Sequence, residues 1–209
     1  MMQFAHRPLS KVKGLQDYKL MGSGKKGFNP YPDWTVYALL QIWENEEVAH
    51  TFFENSILIK KYLQKSEERC TLFLKNIKSK GEWSGKNPFV KSENINSENR
   101  YIAVITRATI KFNLLYKFWK YVPTSQKPLE HNEGLLYTKG VGEVPFLQMA
   151  TFSLWKDEES LLQFAYGSKE HATAIKKTKQ IKWYREELFS RFQPYKSIGA
   201  WKAMGQLPF

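Results

Sequence analysis

Residues 34–47, WTVYALLQIWENEE, form an apolar stretch that leads directly into a polar, acidic one. The first ten are apolar or β-branched apart from Gln41, which is typical of a strand buried on both faces. Asn45 is a suitable N-cap, and two glutamates follow it where the helix dipole favours acidic side chains. A helical region to about residue 64 and a strand over residues 69–77 complete this unit.

The same unit recurs near the other end of the sequence. Residues 146–159, FLQMATFSLWKDEE, match residues 34–47 at an offset of 112, and the match continues at an offset of 116. The matched pairs are Ala38/Ala150, Trp43/Trp155, Glu46/Glu158, Glu47/Glu159, Phe52/Phe164, Lys60/Lys176, Lys61/Lys177, Leu72/Leu188 and Phe73/Phe189. Nine matches at two consistent offsets indicate a repeated strand–helix–strand unit.

A third strand, over residues 100–109, and an aromatic helix, over 111–121, lie between the two repeats. A further helix is predicted over 169–183. This order predicts an α+β fold, with a ferredoxin-like antiparallel sheet that carries its helices on one face. The predicted divisions of one domain are an irregular arm (1–33), the first repeat (34–78), a loop (79–99), a middle strand–helix–strand (100–145), the second repeat (146–193) and a tail (194–209).

Composition limits the function classes. The chain has 209 residues, of which 42% are hydrophobic and 15% aromatic, so it is not a disordered chain. Its single cysteine, Cys70, excludes a disulfide framework and a cysteine-only metal site. No apolar stretch approaches the roughly 20 residues of a membrane span, and no secretory signal begins the sequence, so we expect a cytoplasmic protein.

The net charge is +12. Such a charge predicts attraction to an anionic partner, although a solvated lysine face explains it equally well. RNA-binding strand motifs are lacking, and we expect no nucleic-acid partner. Phosphate-binding glycine loops, a nucleophile elbow and an HExxH motif are also lacking. The four histidines are scattered, which argues against a multi-histidine metal site.

His171 is the strongest candidate for a single axial ligand of haem iron. It lies in the first turns of a predicted helix, beside Ala172, Ala174 and Ile175, and the small side chains of Ala172 and Ala174 allow a flat macrocycle to approach. Phe164 and Tyr166 precede it and can stack on a porphyrin edge. A histidine near a helix start without any ligand is the other interpretation of the same pattern.

Arg107 lies in an otherwise apolar strand, YIAVITRATI. A buried guanidinium is costly unless it is paired or contacts an anion. Arg107 is therefore either a donor in the distal pocket of a haem site or an ordinary structural residue. In the second case it pairs with Glu143 or Glu187, or lies at the solvent end of the strand.

Several motifs together resemble the bacterial spheroidene monooxygenase family. They are LMGSGKKGF, KGEWSGKNPF, VITRATI followed by FWKYVP, KGVGEVP, QMATFSLW and FAYGSKEHATAIKKTKQIKWYREELFSRF, in this order over roughly residues 18 to 202. The resemblance implies a haem protein (haem b) that oxidises acyclic carotenoids, and a homodimeric α+β barrel. It also implies that His171 binds the iron and that Arg107 faces the distal pocket.

The mechanism that this resemblance implies needs O2 and an external electron donor. Two hydroxylations at one carbon of a hydrophobic substrate give a gem-diol, which collapses to a ketone. Because such substrates dissolve in membranes, peripheral contact with the inner membrane is a further expectation. The same scaffold also serves aldoxime dehydratase-like and peroxidase-like chemistry on small substrates, and a non-catalytic haem- or lipid-binding protein is the remaining alternative.

Overall fold

A single antiparallel sheet organises the computed structural model, which describes residues 2–25, 29–126, 132–167, 173, 176–178, 180–205 and 207–209. The described strands are β1 (Leu15–Lys25), β2 (Asn29–Trp43), β3 (Arg69–Gly81), β4 (Ile102–Ile110), β5 (Leu135–Val144), β6 (Gln148–Trp155) and β7 (Tyr184–Ala200). Their order in the sheet is β2-β1-β5-β6-β4-β7-β3. The described helices are α1 (His6–Leu9), α2 (Glu46–Asn55), α3 (Ile57–Lys65), α4 (Leu115–Gln126) and α5 (Glu158–Leu162), with a π-helical turn (Gln163–Gly167) and 3₁₀ turns at Met2–Ala5, Phe112–Leu114 and Lys202–Met204.

The second half of the chain is a ferredoxin-like unit. Its elements follow one another as β4, α4, β5, β6, α5 and β7, and they give the strand order β5-β6-β4-β7. Every neighbouring pair in this unit is antiparallel. This is the split βαβ arrangement, and it confirms the predicted α+β class.

The first half repeats most of this unit. The order α1, β1, β2, α2–α3, β3 corresponds to α4, β5, β6, α5, β7. In a complete second unit, a counterpart of β4 would lie in the sheet between β2 and β3. Among the described residues no strand occupies that place. The sheet therefore has two free edges, β2 and β3.

The helix starts show the internal repeat in atomic detail. Asn45 accepts a hydrogen bond from Val48 N at 2.9 Å. Asp157, which matches Asn45 at the offset of 112, accepts one from Ser160 N at 2.8 Å. The ring pairs repeat as well. Trp43 and Phe52 lie 4.9 Å apart, centroid to centroid, and Trp155 and Phe164 lie 5.3 Å apart. The offset of 112 found in the sequence is thus a structural repeat.

The two faces of the central sheet have different partners. Ala103 and Ile105 of β4 point into an apolar cluster that also holds Met21 of β1 and is packed against Leu40 of β2. β2 lies four positions from β4 in the sheet, so these contacts require a strongly curled sheet with a concave inner face. On the other face, Ile102 packs with α5, and Ile110 with α4. These helices share one face, as predicted.

The ends of the chain differ from the sequence prediction. Residues 1–33, expected to be an irregular arm, contain α1, β1 and the start of β2. The composition of LQDYKLMGSGK does not indicate a strand. β1 is held by pairing with β2 and β5 and not by the strand propensity of its own residues. The tail expected from residue 194 is strand as far as Ala200, because residues 188–200 of β7 pair with β3.

The two equivalent N-caps provide a matched test. Asn45→Ala and Asp157→Ala should each lower the free energy of unfolding by about 1 kcal/mol near neutral pH. The hydrogen bonds from Ser160 lower the pKa of Asp157, so its contribution is present above the ordinary carboxyl pKa and is lost as the pH falls through the folded value. Urea unfolding should therefore show the Asp157→Ala effect shrinking in acid, while the Asn45→Ala effect stays constant. If the effects of both substitutions depended equally on acid, the assignment of Asn45 and Asp157 as equivalent N-caps would be contradicted.

Candidate active site

Arg107 is fixed on the concave face of the sheet. Its side chain is 2% exposed, and its Nη1 lies 2.8 Å from Glu186 Oε2 on β7. The sequence prediction that Arg107 pairs with Glu143 or Glu187 is therefore wrong, and so is a position at the solvent end of the strand. Glu186 is the partner because of the register of β4 against β7. Thr109 lies two residues along β4 from Arg107, on the same face, and it is directly opposite Glu186. Arg107 Nε has no hydrogen-bond partner among the described residues.

A tryptophan that the sequence prediction missed fills the space beside Arg107. Trp83 lies in the connection between β3 and β4, and its side chain is buried in the concave cluster. Its ring centroid lies 5.6 Å from both Lys19 Nζ and Arg107 Cζ, and its Nε1 donates to Glu143 Oε2 at 2.7 Å. The motif KGEWSGKNPF contained the signal for this buried residue. A single tryptophan among polar residues and glycines is expected to have a packing partner elsewhere in the fold.

The backbone around Trp83 is tightly constrained. Gly81 has φ +100°, and a Cβ there would lie 2.1 Å from Glu187 O. Gly85 N donates to Glu186 Oε1 at 3.1 Å. Burial raises the pKa of Glu186, but the hydrogen bond from Gly85 and the ion pair with Arg107 outweigh it, so the pKa is lowered overall. The Trp83 loop and the buried ion pair therefore support each other.

The helix face of the sheet differs between the two repeats. In the first repeat Phe73 is 9% exposed, because His50 stacks on it at 4.5 Å and Phe53 meets its edge at 5.8 Å. Phe189 occupies the matching position in the second repeat and is 51% exposed. Leu162 stands where the first repeat has His50. Among the residues that the structure describes, none stacks on Phe189 as His50 stacks on Phe73.

The area around Phe189 forms a small floor of uncharged side chains. Thr106 of β4 lies directly opposite both Phe189 of β7 and Thr151 of β6, so the three side chains share the helix face. Both threonines are partly exposed. We call these three residues the floor. The packing of α4 around Phe118 and of α5 around Leu161 flanks it.

The predicted cofactor contacts lie partly at this floor. Phe164 packs on Trp155 at one side of it, while Tyr166 is exposed, and both belong to the π-helical turn, a feature frequent at functional sites. His171, Ala174 and Ile175 lie outside the described residues. The described positions nearby, 173, 176–178 and 180–181, are helical, as predicted.

The structure does not bring Arg107 and Phe164 together. Trp155, on which Phe164 packs, lies opposite Ile102 and hence on the helix face, whereas Arg107 belongs to the concave face. One cofactor cannot contact both residues through the sheet.

The described histidines are engaged elsewhere. His50 stacks on Phe73, and His6 Nδ1 lies 3.2 Å from Tyr18 Oη. No group of three or more potential metal ligands occurs among the described residues. His131 lies outside them.

Fold and site together define an α+β protein of two ferredoxin-like units with an open floor under the second helix layer. The spheroidene monooxygenase of Cereibacter sphaeroides is 37% identical over 187 residues, which are 88% of this chain and 57% of that protein. The spheroidene monooxygenase of Rhodobacter capsulatus is 32% identical over 209 residues, covering 99% of this chain and 86% of that protein. The chain belongs to the spheroidene monooxygenase family.

The chain was also compared with solved structures and with protein-family models. A solved structure from Fusobacterium nucleatum, described as a candidate monooxygenase, has a TM-score of 0.45 and 14% identity and covers 94% of this chain and 83% of that one. No protein-family model matches the chain. In the part of the chain that the structure describes, no helix is both long enough and apolar enough to cross a bilayer.

The Arg107–Glu186 pair yields a direct test. Glu186→Gln leaves the buried guanidinium without its counter-charge and should lower the free energy of unfolding by about 2 kcal/mol at neutral pH. Because the folded pKa of Glu186 is lowered, its contribution is present above the ordinary carboxyl pKa and lost as the pH falls through the folded value. The difference in the free energy of unfolding between Glu186→Gln and the wild type should therefore become smaller in acid.

The matched control is Glu187→Gln, one residue further along β7, where the side chain is exposed. Denaturant unfolding should leave this variant close to the wild type. Equal losses for the two variants would show that Glu186 is not the partner that matters to Arg107.

Proposed function

We propose that the protein is a haem-dependent monooxygenase that inserts an oxygen atom from O2 into a hydrophobic, carotenoid-like substrate, with His171 as the axial iron ligand. Family membership supports the oxygenase reaction and the substrate class. The observation that carries the haem assignment is the exposed Phe189, because the second repeat leaves open the area that the first repeat fills with His50 and Phe53.

The described residues fit a flat apolar group at this place. Phe189, Thr106 and Thr151 offer a floor without a charged side chain among them, and Phe164 closes one side. The segment that carries His171 follows the π-helical turn directly in the chain. Ala174 and Ile175 are the proposed contacts from the ligand's own helix, and Tyr166 the proposed contact at the cofactor's edge.

When bound, haem supplies the activation of O2, with two electrons from an external donor and the second oxygen atom released as water. The chain contributes binding, orientation and exclusion of water. The imidazole of His171 would hold the iron, and Phe189 and Phe164 would provide apolar surface that keeps water from the reacting centre. A hydrocarbon chain without polar groups can be held only by such surface and by shape.

Arg107 stands apart from this set of contacts. On the concave face its ion pair joins β4 to β7 and its guanidinium packs on Trp83, which is a positioning role. The alternative role, a donor beside the activated oxygen, requires the cofactor on the concave face, where Arg107 Nε has no partner. Substitutions on the two faces separate these placements.

The first experiment is the absorption spectrum of the purified protein. A Soret band should be present in the wild type, absent in His171→Ala and retained in His50→Ala, because His50 is stacked on Phe73. Circular dichroism checks that both variants fold. A Soret band that survives in His171→Ala refutes the ligand assignment.

A second experiment locates the cofactor. Phe189→Glu should lower the affinity for added haem by about tenfold or more, since it places a charge against an apolar ligand. Val90→Glu, at an exposed position in the connection between β3 and β4, is the control and should bind haem normally. Unchanged binding in Phe189→Glu together with a loss in Arg107→Lys would place the cofactor on the concave face.

A third experiment tests the reaction. Lycopene-type substrates should be oxidised only with O2 and a reductant, and labelled O2 should appear in the ketone product. Anaerobic turnover of an aldoxime, or peroxide-driven turnover alone, would assign the other chemistries. Haem binding without any turnover would make the protein a haem carrier.

A further inference from the structure

The outward side of α4 carries large aromatic side chains that contact solvent. Phe112, in the 3₁₀ turn just before α4, is 83% exposed, and Tyr116, four residues later, is 79% exposed. Trp119 follows one helical turn after Tyr116, on the same side. The inward side holds Phe118, which packs against Trp183. Phe112 and Tyr116 are therefore surplus to the core, whereas Trp119 is partly buried against it.

The turn between β5 and β6 extends this aromatic area. Trp119 Nε1 donates to Phe146 O at 3.0 Å, and the two rings lie 6.1 Å apart. Tyr31 of β2, also exposed, meets the Phe146 ring edge at 6.2 Å. We call Tyr31, Phe112, Tyr116, Trp119 and Phe146 the aromatic surface.

Phe146 is kept at the surface against its own backbone preference. Its φ is +64°, in the left-handed region where a bulky side chain is unfavourable. The hydrogen bond from Trp119 and the contact with Tyr31 stabilise this conformation. A turn needing only a left-handed residue is better served by glycine, so the phenyl ring is kept for its contacts with Trp119 and Tyr31, which join the turn to α4 and β2.

The charges around α4 have one sign. Residues 111–126 contain three lysines and no acidic residue, and Lys117 and Lys120 are both exposed. A partner that accepts aromatic rings and also attracts lysines must be apolar and anionic together. A lipid bilayer with anionic headgroups has this chemistry, because tyrosine, tryptophan and lysine combine an apolar body with a polar end.

Other partners match this pattern less well. A second copy docked on the same surface about a twofold axis would bring the α4 lysines of both copies together. Nucleic-acid recognition favours the planar guanidinium of arginine, and residues 111–126 contain none. We propose that the aromatic surface docks the protein on an anionic membrane, independently of whether haem is bound.

Vesicle sedimentation tests this docking. The full chain should bind vesicles of phosphatidylcholine with phosphatidylglycerol more tightly than vesicles of phosphatidylcholine alone, and added salt should weaken the binding. The double variant Phe112→Ser/Tyr116→Ser should bind about tenfold more weakly, since it removes apolar area. Lys117→Glu/Lys120→Glu should lose the preference for the anionic vesicles.

The matched control is Phe4→Ser/Val90→Ser, which removes two exposed apolar side chains away from the aromatic surface. It should bind vesicles like the wild type. Failure of the wild type to bind either vesicle overturns the proposal, as does an equal loss in the control. Variants that change the oligomeric state or the binding of single-stranded DNA, and not vesicle binding, also overturn it. The Soret band reports on haem separately, so each proposal can fail alone.

Discussion

β4 pairs along its length with β6 on one side and β7 on the other, and this pairing decides what lies on each face of the sheet. Its odd-numbered residues enter the concave face and its even-numbered residues the helix face. A shift by one residue would expose Arg107 to the helices and bury Thr106 among Trp83 and Met21. The ion pair, the Trp83 loop and the open floor all depend on this one register.

The internal repeat explains how a stable scaffold can hold an unfilled site. In the first repeat the helix layer is closed by stacked rings over Phe73, which contributes packing. In the second repeat the same strand position, Phe189, lacks this cover. The first copy of the unit is thus packed more tightly at this strand position, and the second exposes apolar surface there.

Local signals in the sequence were sufficient where short-range chemistry decides the structure. The N-cap Asn45, the repeat offset and the third strand, predicted over residues 100–109 and found at Ile102–Ile110, followed from residue type and spacing. β1 was not predicted, because its residues have low strand propensity and its conformation is held by pairing with β2 and, at Gly22 and Ser23, with β5. The partner of Arg107 depended on the register of β4 against β7, which places Glu186 rather than Glu187 on the concave face. The packing of Trp83 likewise depends on long-range contacts.

The free edges β2 and β3 expose unpaired backbone groups that could template association between molecules. Both carry features that discourage this. Lys78 and Lys80 are exposed along β3, where a second chain would bring its own charges against them. β2 changes register against β1 between Asp33 and Tyr37, which interrupts its regular ladder. Edge-to-edge growth of an intermolecular sheet is thus disfavoured by only a few side chains and one irregularity in the backbone.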